Sequence, residues 1–128
     1  MRVFATRWFA RFARSERIRD DRLCEAIHRA QRGLVDADLG HGLIKQRIAR
    51  SGQGRSGGFR VLIAYRRGAR AVFLYGFAKS ERDSIRPDQL AAWQARAQEV
   101  LSAGDELIER NIAEDHLREV HCEQKEEG

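Results

Sequence analysis

The chain has 128 residues, which suits one domain with its own core and leaves little room for a second. Apolar residues make up 42% and charged residues 34%, so we predict a folded domain with a heavily charged surface. No apolar run approaches the roughly 18 residues that a membrane span needs, and Arg7, Arg11 and Arg14 interrupt the N-terminal stretch where a secretory signal would lie. The composition therefore predicts a cytoplasmic protein.

The first third of the chain predicts a short strand followed by two helices. Val3–Ala5 is apolar, and Thr6 is placed to cap a helix whose apolar side chains recur at helical spacing: Trp8, Phe9 and Phe12. The second helix begins near Asp20, since acidic residues favour a helix N-terminus, and it ends at Gly33.

The middle of the chain predicts the strands of the sheet. Residues 34–39 and 43–48 can each form a short strand, with a turn over residues 40–42. Residues 51–58 contain four glycines and predict a loop. Residues 59–65 and 71–78 are rich in Val, Ile, Phe and Tyr, so we predict a hairpin of two central strands buried on both faces.

Pro87 lies in the first turn of the last helix that the pattern predicts. Beyond Gly104 the helical pattern weakens, and residues 116–128 are mostly polar and acidic. This composition predicts that roughly the last ten residues form a frayed or disordered tail. We therefore expect one domain over residues 1–103 and an acidic, partly helical or disordered extension over residues 104–128. The fold class is α+β, with a mainly antiparallel sheet.

The two cysteines, Cys24 and Cys122, lie far apart and form neither a CxxC pair nor a Cys/His ligand spacing. In a cytoplasmic protein, isolated cysteines are usually reduced thiols. We therefore expect free thiols rather than a disulfide or a metal site.

The positive charge is concentrated in the first two thirds of the chain. Residues 1–86 carry 20 Lys+Arg against 8 Asp+Glu, whereas residues 87–128 carry 4 against 11. Only three of the cations are lysines, and the planar guanidinium of arginine binds phosphate with two parallel hydrogen bonds. A genome that favours arginine codons would explain the Arg/Lys ratio but not the surplus in one segment. This distribution favours nucleic acid as the ligand.

Several standard sites are missing from the sequence. There is no GxxxxGK[ST] or GxGxxG motif for phosphate, and the histidines have neither HExxH nor zinc-finger spacing. The acidic residues fall mainly outside the predicted strands, which disfavours a nuclease with two metal ions. We therefore predict neither a metal nor another cofactor.

A set of cations around the predicted sheet remains. Lys45 and Arg47 alternate along one strand, Arg60 begins the next, and Lys79 ends the strand after that. In an antiparallel sheet these positions can come together at one concave surface. Cations placed there would bind a scissile phosphate and stabilise the negative charge of its transition state. They would also depress the pKa of a neighbouring lysine. A solvated basic face is the simpler interpretation. We add four RNA-binding candidates: Arg55, Arg50, His41 and Arg82.

Two consecutive segments resemble the strands of RelE-like toxins from toxin–antitoxin modules. Residues 55–65 read RSGGFRVLIAY, in which glycine, an aromatic residue and an arginine lead into an apolar strand that ends in tyrosine. Residues 72–79 read VFLYGFAK and are similar to the HigB-type version, whose strand ends in Gly-Phe-x-Lys before the last helix. The order of elements over residues 1–101 also fits this family.

The resemblance implies a small twisted antiparallel sheet with two N-terminal helices packed on it and a C-terminal helix. It also implies an antitoxin partner and metal-independent cleavage of mRNA on the ribosome, with attack by the 2′-hydroxyl to leave a 2′,3′-cyclic end. Carried over, Arg60 holds the scissile phosphate, Arg55 holds the adjoining backbone, and Lys79 braces the transition state or protonates the leaving oxygen. Lys45 and Arg47 resemble the family's alternating basic pair.

One feature departs from the family. Relatives often place a tyrosine shortly after the last strand, where this chain reads SERDSI over residues 80–85. Either a HigB-like set of residues applies, or Tyr65 or Tyr75 substitutes, or the activity is weak. Both tyrosines are expected to pack within the sheet. Two other functions stay open: a ParE-like toxin that binds DNA gyrase without cutting RNA, and an RNA-binding module without catalysis.

Overall fold

The structure is a computed structural model that describes residues 1–50, 58–79 and 85–123. Its strands are β1 (Arg2–Thr6), β2 (Ala37–Gly40), β3 (Leu43–Ile48), β4 (Phe59–Arg66), β5 (Arg70–Ala78) and β6 (Leu117–Val120). Its helices are α1 (Arg7–Ser15), α2 (Asp20–Gln31), α3 (Pro87–Ser102) and α4 (Asp105–Ala113). Of the predicted glycine loop, residues 51–57 lie outside the described residues.

The described strands form one six-stranded sheet in the order β2-β3-β4-β5-β1-β6. Its neighbouring strands are antiparallel, except that β1 lies parallel to β5. The predicted α+β class and the mainly antiparallel sheet are therefore confirmed. None of the helices in the described parts is both long and apolar enough to cross a membrane.

The sheet is buried on both faces, because successive side chains of a strand point to opposite sides. Val61 and Ile63 of β4 pack with side chains of α1 and α2, and we call this side the α1–α2 face. Leu62 and Ala64 pack with side chains of α3 and α4, on what we call the α3–α4 face. The hairpin of β4 and β5 therefore lies in the centre of the sheet and is buried on both faces, as predicted.

The link from β1 into α1 follows the sequence signal. The hydroxyl oxygen of Thr6 accepts a hydrogen bond from the backbone N–H of Phe9 at 3.2 Å, which caps the helix. Phe9 and Ala13, four residues apart, form the buried stripe of α1. Trp8 lies beside this stripe and is half-exposed.

Strand β2 is shorter than the predicted strand over residues 34–39. Residues 34 and 36 are instead bound by the buried side chain of Gln46, which donates to the carbonyl of Leu34 at 3.1 Å and accepts from the N–H of Asp36 at 2.7 Å. These contacts satisfy backbone groups that a longer strand would have paired. A side chain of β3 thus takes the place of part of the β-ladder.

The C-terminal region is more ordered than the sequence predicts. Strand β6 reaches into roughly the last ten residues, which the composition predicts to fray, and it pairs antiparallel with β1 at an edge of the sheet. Residues 124–128 of the predicted tail lie outside the described residues. Leu117 and Val120 are buried, and Arg2 binds Glu119 at 2.9 Å and Glu109 at 2.8 Å. The hydrogen bond from Arg2 lowers the pKa of Glu119. These partners are far apart in sequence, so the local pattern does not reveal the strand.

The structure also corrects the prediction of free thiols. Cys24 of α2 and Cys122, just after β6, form a disulfide with their Cα atoms 5.5 Å apart. The pairing depends on α2 packing beside the end of β6, across a sequence separation of 98 residues. No cysteine spacing could indicate that contact.

Candidate functional site

Three of the predicted cations lie on two neighbouring rungs of the sheet. Arg47 pairs with Arg60, which pairs with Phe77 of β5. Lys45 lies on the next rung of the same face, opposite Leu62. Paired Cα atoms in such a ladder are about 5 Å apart, and side chains on one face of a strand repeat about every 7 Å. The register therefore brings Lys45, Arg47 and Arg60 together on the α3–α4 face.

Lys79 joins this set from the end of β5. Its backbone N–H donates to the carbonyl of Gly58 at 3.1 Å, which continues the ladder with β4 by one step. Lys79 is exposed, and alternation along the strand gives it the same face as Phe77. We call Lys45, Arg47, Arg60 and Lys79 the cationic cluster.

Arg60 differs from the other members of the cationic cluster because it is buried. The residue is 8% exposed, and Phe77, which lies opposite, is buried as well. The Nη1 atom of Arg60 is fully buried and has no hydrogen-bond partner among the residues that the structure describes. A buried, unpartnered donor on a charged group is costly. An anionic ligand is the group that would satisfy it.

Arg47 is held by a carboxylate and a second arginine. The Asp36 carboxylate accepts from the backbone N–H of Arg47 at 2.7 Å and from its guanidinium at 3.3 Å. Asp36 also binds Arg29 of α2 at 3.3 Å, and Arg29 donates to the carbonyl of Arg47. Burial by itself would raise the pKa of Asp36, but the hydrogen bonds and charges of the two arginines hold it below its ordinary value.

Of the four RNA-binding candidates, the structure describes Arg50 and His41, and neither joins the cationic cluster. Arg50 lies over the ring of Phe59, with 5.5 Å between its guanidinium carbon and the ring centroid, and Phe59 packs on the α1–α2 face. His41 occupies the turn between β2 and β3, six residues before Arg47, where its carbonyl accepts from Gln98 of α3 at 2.8 Å. Arg55 and Arg82 lie outside the described residues.

The two tyrosines pack against opposite faces of the sheet. Tyr65 packs with the core of the α1–α2 face, where burial raises the pKa of its phenol. Tyr75 lies on the α3–α4 face, opposite Leu62 and beside the cationic cluster. Of the two, only Tyr75 is on the face that carries the cluster.

Sequence reasoning missed two residues beside the cationic cluster. One is Asp36, whose role depends on its contacts with Arg47 and Arg29. The other is Trp8, whose indole stacks on Tyr75 with 4.6 Å between ring centroids. The sequence groups Trp8 with Phe9 and Phe12 at helical spacing, and only the packing of α1 shows that Phe9 and Ala13 are buried while Trp8 is half-exposed.

The arrangement suits an anionic ligand rather than a metal ion. The described side chains of the cluster are cations, and the described residues contain no group of three His, Cys, Asp or Glu that could hold a metal. Fold and site together define a small α+β domain with a cationic surface on its sheet.

Comparison with known proteins identifies the family. Residues 1–120 match the family model described as the RelE toxin of the RelE/RelB toxin–antitoxin system. The chain therefore belongs to the RelE toxin family, which implies an antitoxin as its partner, and the resemblance is confirmed. Comparison with the curated proteins and with the solved structures gave no match.

Proposed function

We propose that this toxin is an endoribonuclease that cuts mRNA on the ribosome in the cytoplasm and so inhibits translation. The reaction needs neither a metal nor a cofactor. The observation that supports this proposal best is the buried Nη1 atom of Arg60, which has no partner among the described residues. It lies on the same face as Lys45, Arg47 and Lys79, so a bound phosphate would meet several cations at once.

In the proposed reaction, the 2′-hydroxyl of a ribose attacks the adjacent phosphorus and its proton passes to water. The bond from phosphorus to the 5′-oxygen of the next nucleotide breaks. The products are a 2′,3′-cyclic phosphate and a 5′-hydroxyl, so atoms and charge balance without a redox step.

Arg60 is proposed to bind the non-bridging oxygens of the scissile phosphate, where negative charge grows in the transition state. Lys79 is proposed to donate a proton to the leaving 5′-oxygen, because an ammonium group can release a proton more readily than a guanidinium. Lys45 and Arg47 are proposed to hold the neighbouring phosphates, with Arg47 oriented by its hydrogen bonds to Asp36.

The test combines cell-free translation with mapping of the RNA ends. Wild-type protein should stop translation and cut the mRNA to give 2′,3′-cyclic phosphate ends, with or without EDTA. Arg60→Met should lose cleavage. Arg67→Met, which removes an exposed arginine from the turn after β4, should keep it.

Intact mRNA in the presence of folded wild-type protein would refute the nuclease proposal. If the same protein then inhibited supercoiling by DNA gyrase, the ParE-like alternative would replace it. RNA binding without either activity would identify a non-catalytic RNA-binding module.

A further inference from the structure

A groove of about 750 Å³ opens on the α3–α4 face, where Leu74 and Tyr75 of β5 are part of its lining. Aromatic side chains from three separate elements line one end of it: Trp8 of α1, Tyr75 of β5 and Trp93 of α3. The volume lies within the range of sites that hold small organic groups. The role proposed above for the cationic cluster does not use this groove.

The three rings form a continuous aromatic wall. Tyr75 lies between the two indoles, with its ring centroid 4.6 Å from that of Trp8 and 5.0 Å from that of Trp93. The Trp8 indole also stacks on Phe12, with 5.3 Å between ring centroids, and it remains 47% exposed. An exposed indole that extends an apolar groove is typical of a binding surface rather than of a core.

The aromatic wall lies within one nucleotide of the cationic cluster. Tyr75 and Phe77 are successive residues on the same face of β5, about 7 Å apart, and Phe77 pairs with Arg60. A phosphate bound at Arg60 would therefore leave the attached ribose and base beside the rings. Arg96, which also lines the groove, adds a cation suited to a polyanionic strand.

We propose that the groove binds an unpaired nucleobase of the RNA whose phosphate is held at Arg60, and that Trp8 contacts this base. The inference rests on the proposed function, because it takes RNA as the ligand. Aromatic rings pack against any base, so the contact contributes affinity and position with little sequence preference. The exposed part of Trp8 is the surface that the base would cover.

The test measures the affinity of the full-length protein for a single-stranded RNA decamer with 2′-O-methyl groups, which cannot be cut. Trp8→Leu keeps the apolar bulk but removes the rings, and it should weaken binding about tenfold or more. Trp8→Phe should retain most of the affinity. Leu34→Ala, which trims another exposed apolar side chain, should bind like the wild type.

The salt dependence of RNA affinity separates the contribution of the base contact from that of the phosphate contacts. Trp8→Leu removes no cation, so the slope of log affinity against log salt should stay at the wild-type value. Arg60→Met should reduce that slope by about 0.7, the change expected for one lost phosphate contact on a single strand. A reduced slope for Trp8→Leu would count against a base contact.

A decamer series with one abasic position per molecule completes the test. At one position, loss of the base should weaken wild-type binding and leave Trp8→Leu unaffected, because the contact is already gone. Equal affinity of wild type and Trp8→Leu for the intact decamer would overturn the proposal. If wild-type protein cuts mRNA but this coupling is absent, the base site alone fails. If the coupling is present without cleavage, the nuclease proposal alone fails.

Discussion

Replacement of Arg60 by methionine should inactivate the toxin and stabilise its fold at the same time. Methionine is unbranched, flexible and apolar, so it can fill much of the space of the arginine side chain without a polar group. The change removes a guanidinium that is 8% exposed and whose Nη1 atom lacks a partner among the described residues. Loss of the charge should abolish cleavage, whereas loss of the unpartnered buried donor should stabilise the fold.

The size of each effect follows from the structure. An unsatisfied buried donor costs about 1–3 kcal/mol, and replacement of a buried charge by an apolar side chain is often neutral or stabilising. We therefore expect Arg60→Met to raise the free energy of unfolding by about 1 kcal/mol, which corresponds to about 3–5 °C in Tm for a domain of this size. Loss of one group that stabilises the charge of a transition state lowers the rate about 10²–10³-fold.

The assay pairs thermal unfolding, followed by circular dichroism, with cleavage of a defined mRNA. Arg67→Met serves as the matched control, because it removes an exposed arginine and should change stability by no more than about 0.5 kcal/mol. If Arg60→Met lowers Tm by several degrees, the guanidinium stabilises the fold and the loss of cleavage says nothing about a phosphate site. Full cleavage by a stable variant would remove Arg60 from the reaction.

Three further predictions concern other parts of the molecule. Lys79→Arg should keep RNA affinity but cut more slowly than the wild type, because arginine stays protonated; cleavage at the full rate would reduce Lys79 to an electrostatic role. The depressed pKa of Asp36 contributes stability above about pH 4, its unfolded value, and this contribution is lost as the pH falls through the folded value. The free energy of unfolding, measured with denaturant from pH 6 to pH 3, should therefore fall more for the wild type than for Asp36→Asn. An equal fall for both proteins would contradict the depressed pKa of Asp36. Cys24→Ser should lower the free energy of unfolding by about 2–4 kcal/mol, as expected for a long closed loop. Addition of Cys122→Ser should cost little more, and a fully additive loss would mean that the two cysteines act separately.

The central strands could be predicted from the sequence because their signal is local. Strand β4 spans Phe59–Arg66 against a predicted 59–65, and β5 spans Arg70–Ala78 against a predicted 71–78. Both strands are buried on both faces, so a continuous apolar run marks each of them. The capping hydroxyl of Thr6 was predicted for the same reason, since a cap and its helix are neighbours in sequence.

The edge strand β6 could not be predicted in this way. In β6 only Leu117 and Val120 are buried, and the side chains between them bind residues from the start of the chain, Arg118 to Asp20 and Glu119 to Arg2. A strand that is fixed by contacts about 100 residues away leaves almost no local pattern. The disulfide depends on the same distant packing.

Most of the cationic cluster could be predicted from the alternation of side chains along a strand. Lys45 and Arg47 are two residues apart on one strand, which places them on one face, and the observed register adds Arg60. Arg50 lies beyond the end of β3, where alternation no longer governs direction, and it reaches the α1–α2 face. Asp36 and Trp8 could not be placed without knowledge of how α2 and α1 pack on the sheet.

The strongest signal for the site is a conflict between one residue and its surroundings. Three polar or charged residues are buried in the described core: Arg29, Gln46 and Arg60. Gln46 makes three hydrogen bonds. Arg29 binds Asp36 and the carbonyl of Arg47, although its Nε atom, like Nη1 of Arg60, has no hydrogen-bond partner among the described residues. Arg60 lies among six consecutive buried positions of β4, and no hydrogen bond to the described residues offsets the burial of its Nη1 atom. An apolar residue would serve the fold better there, which is why we propose that this charge binds a ligand.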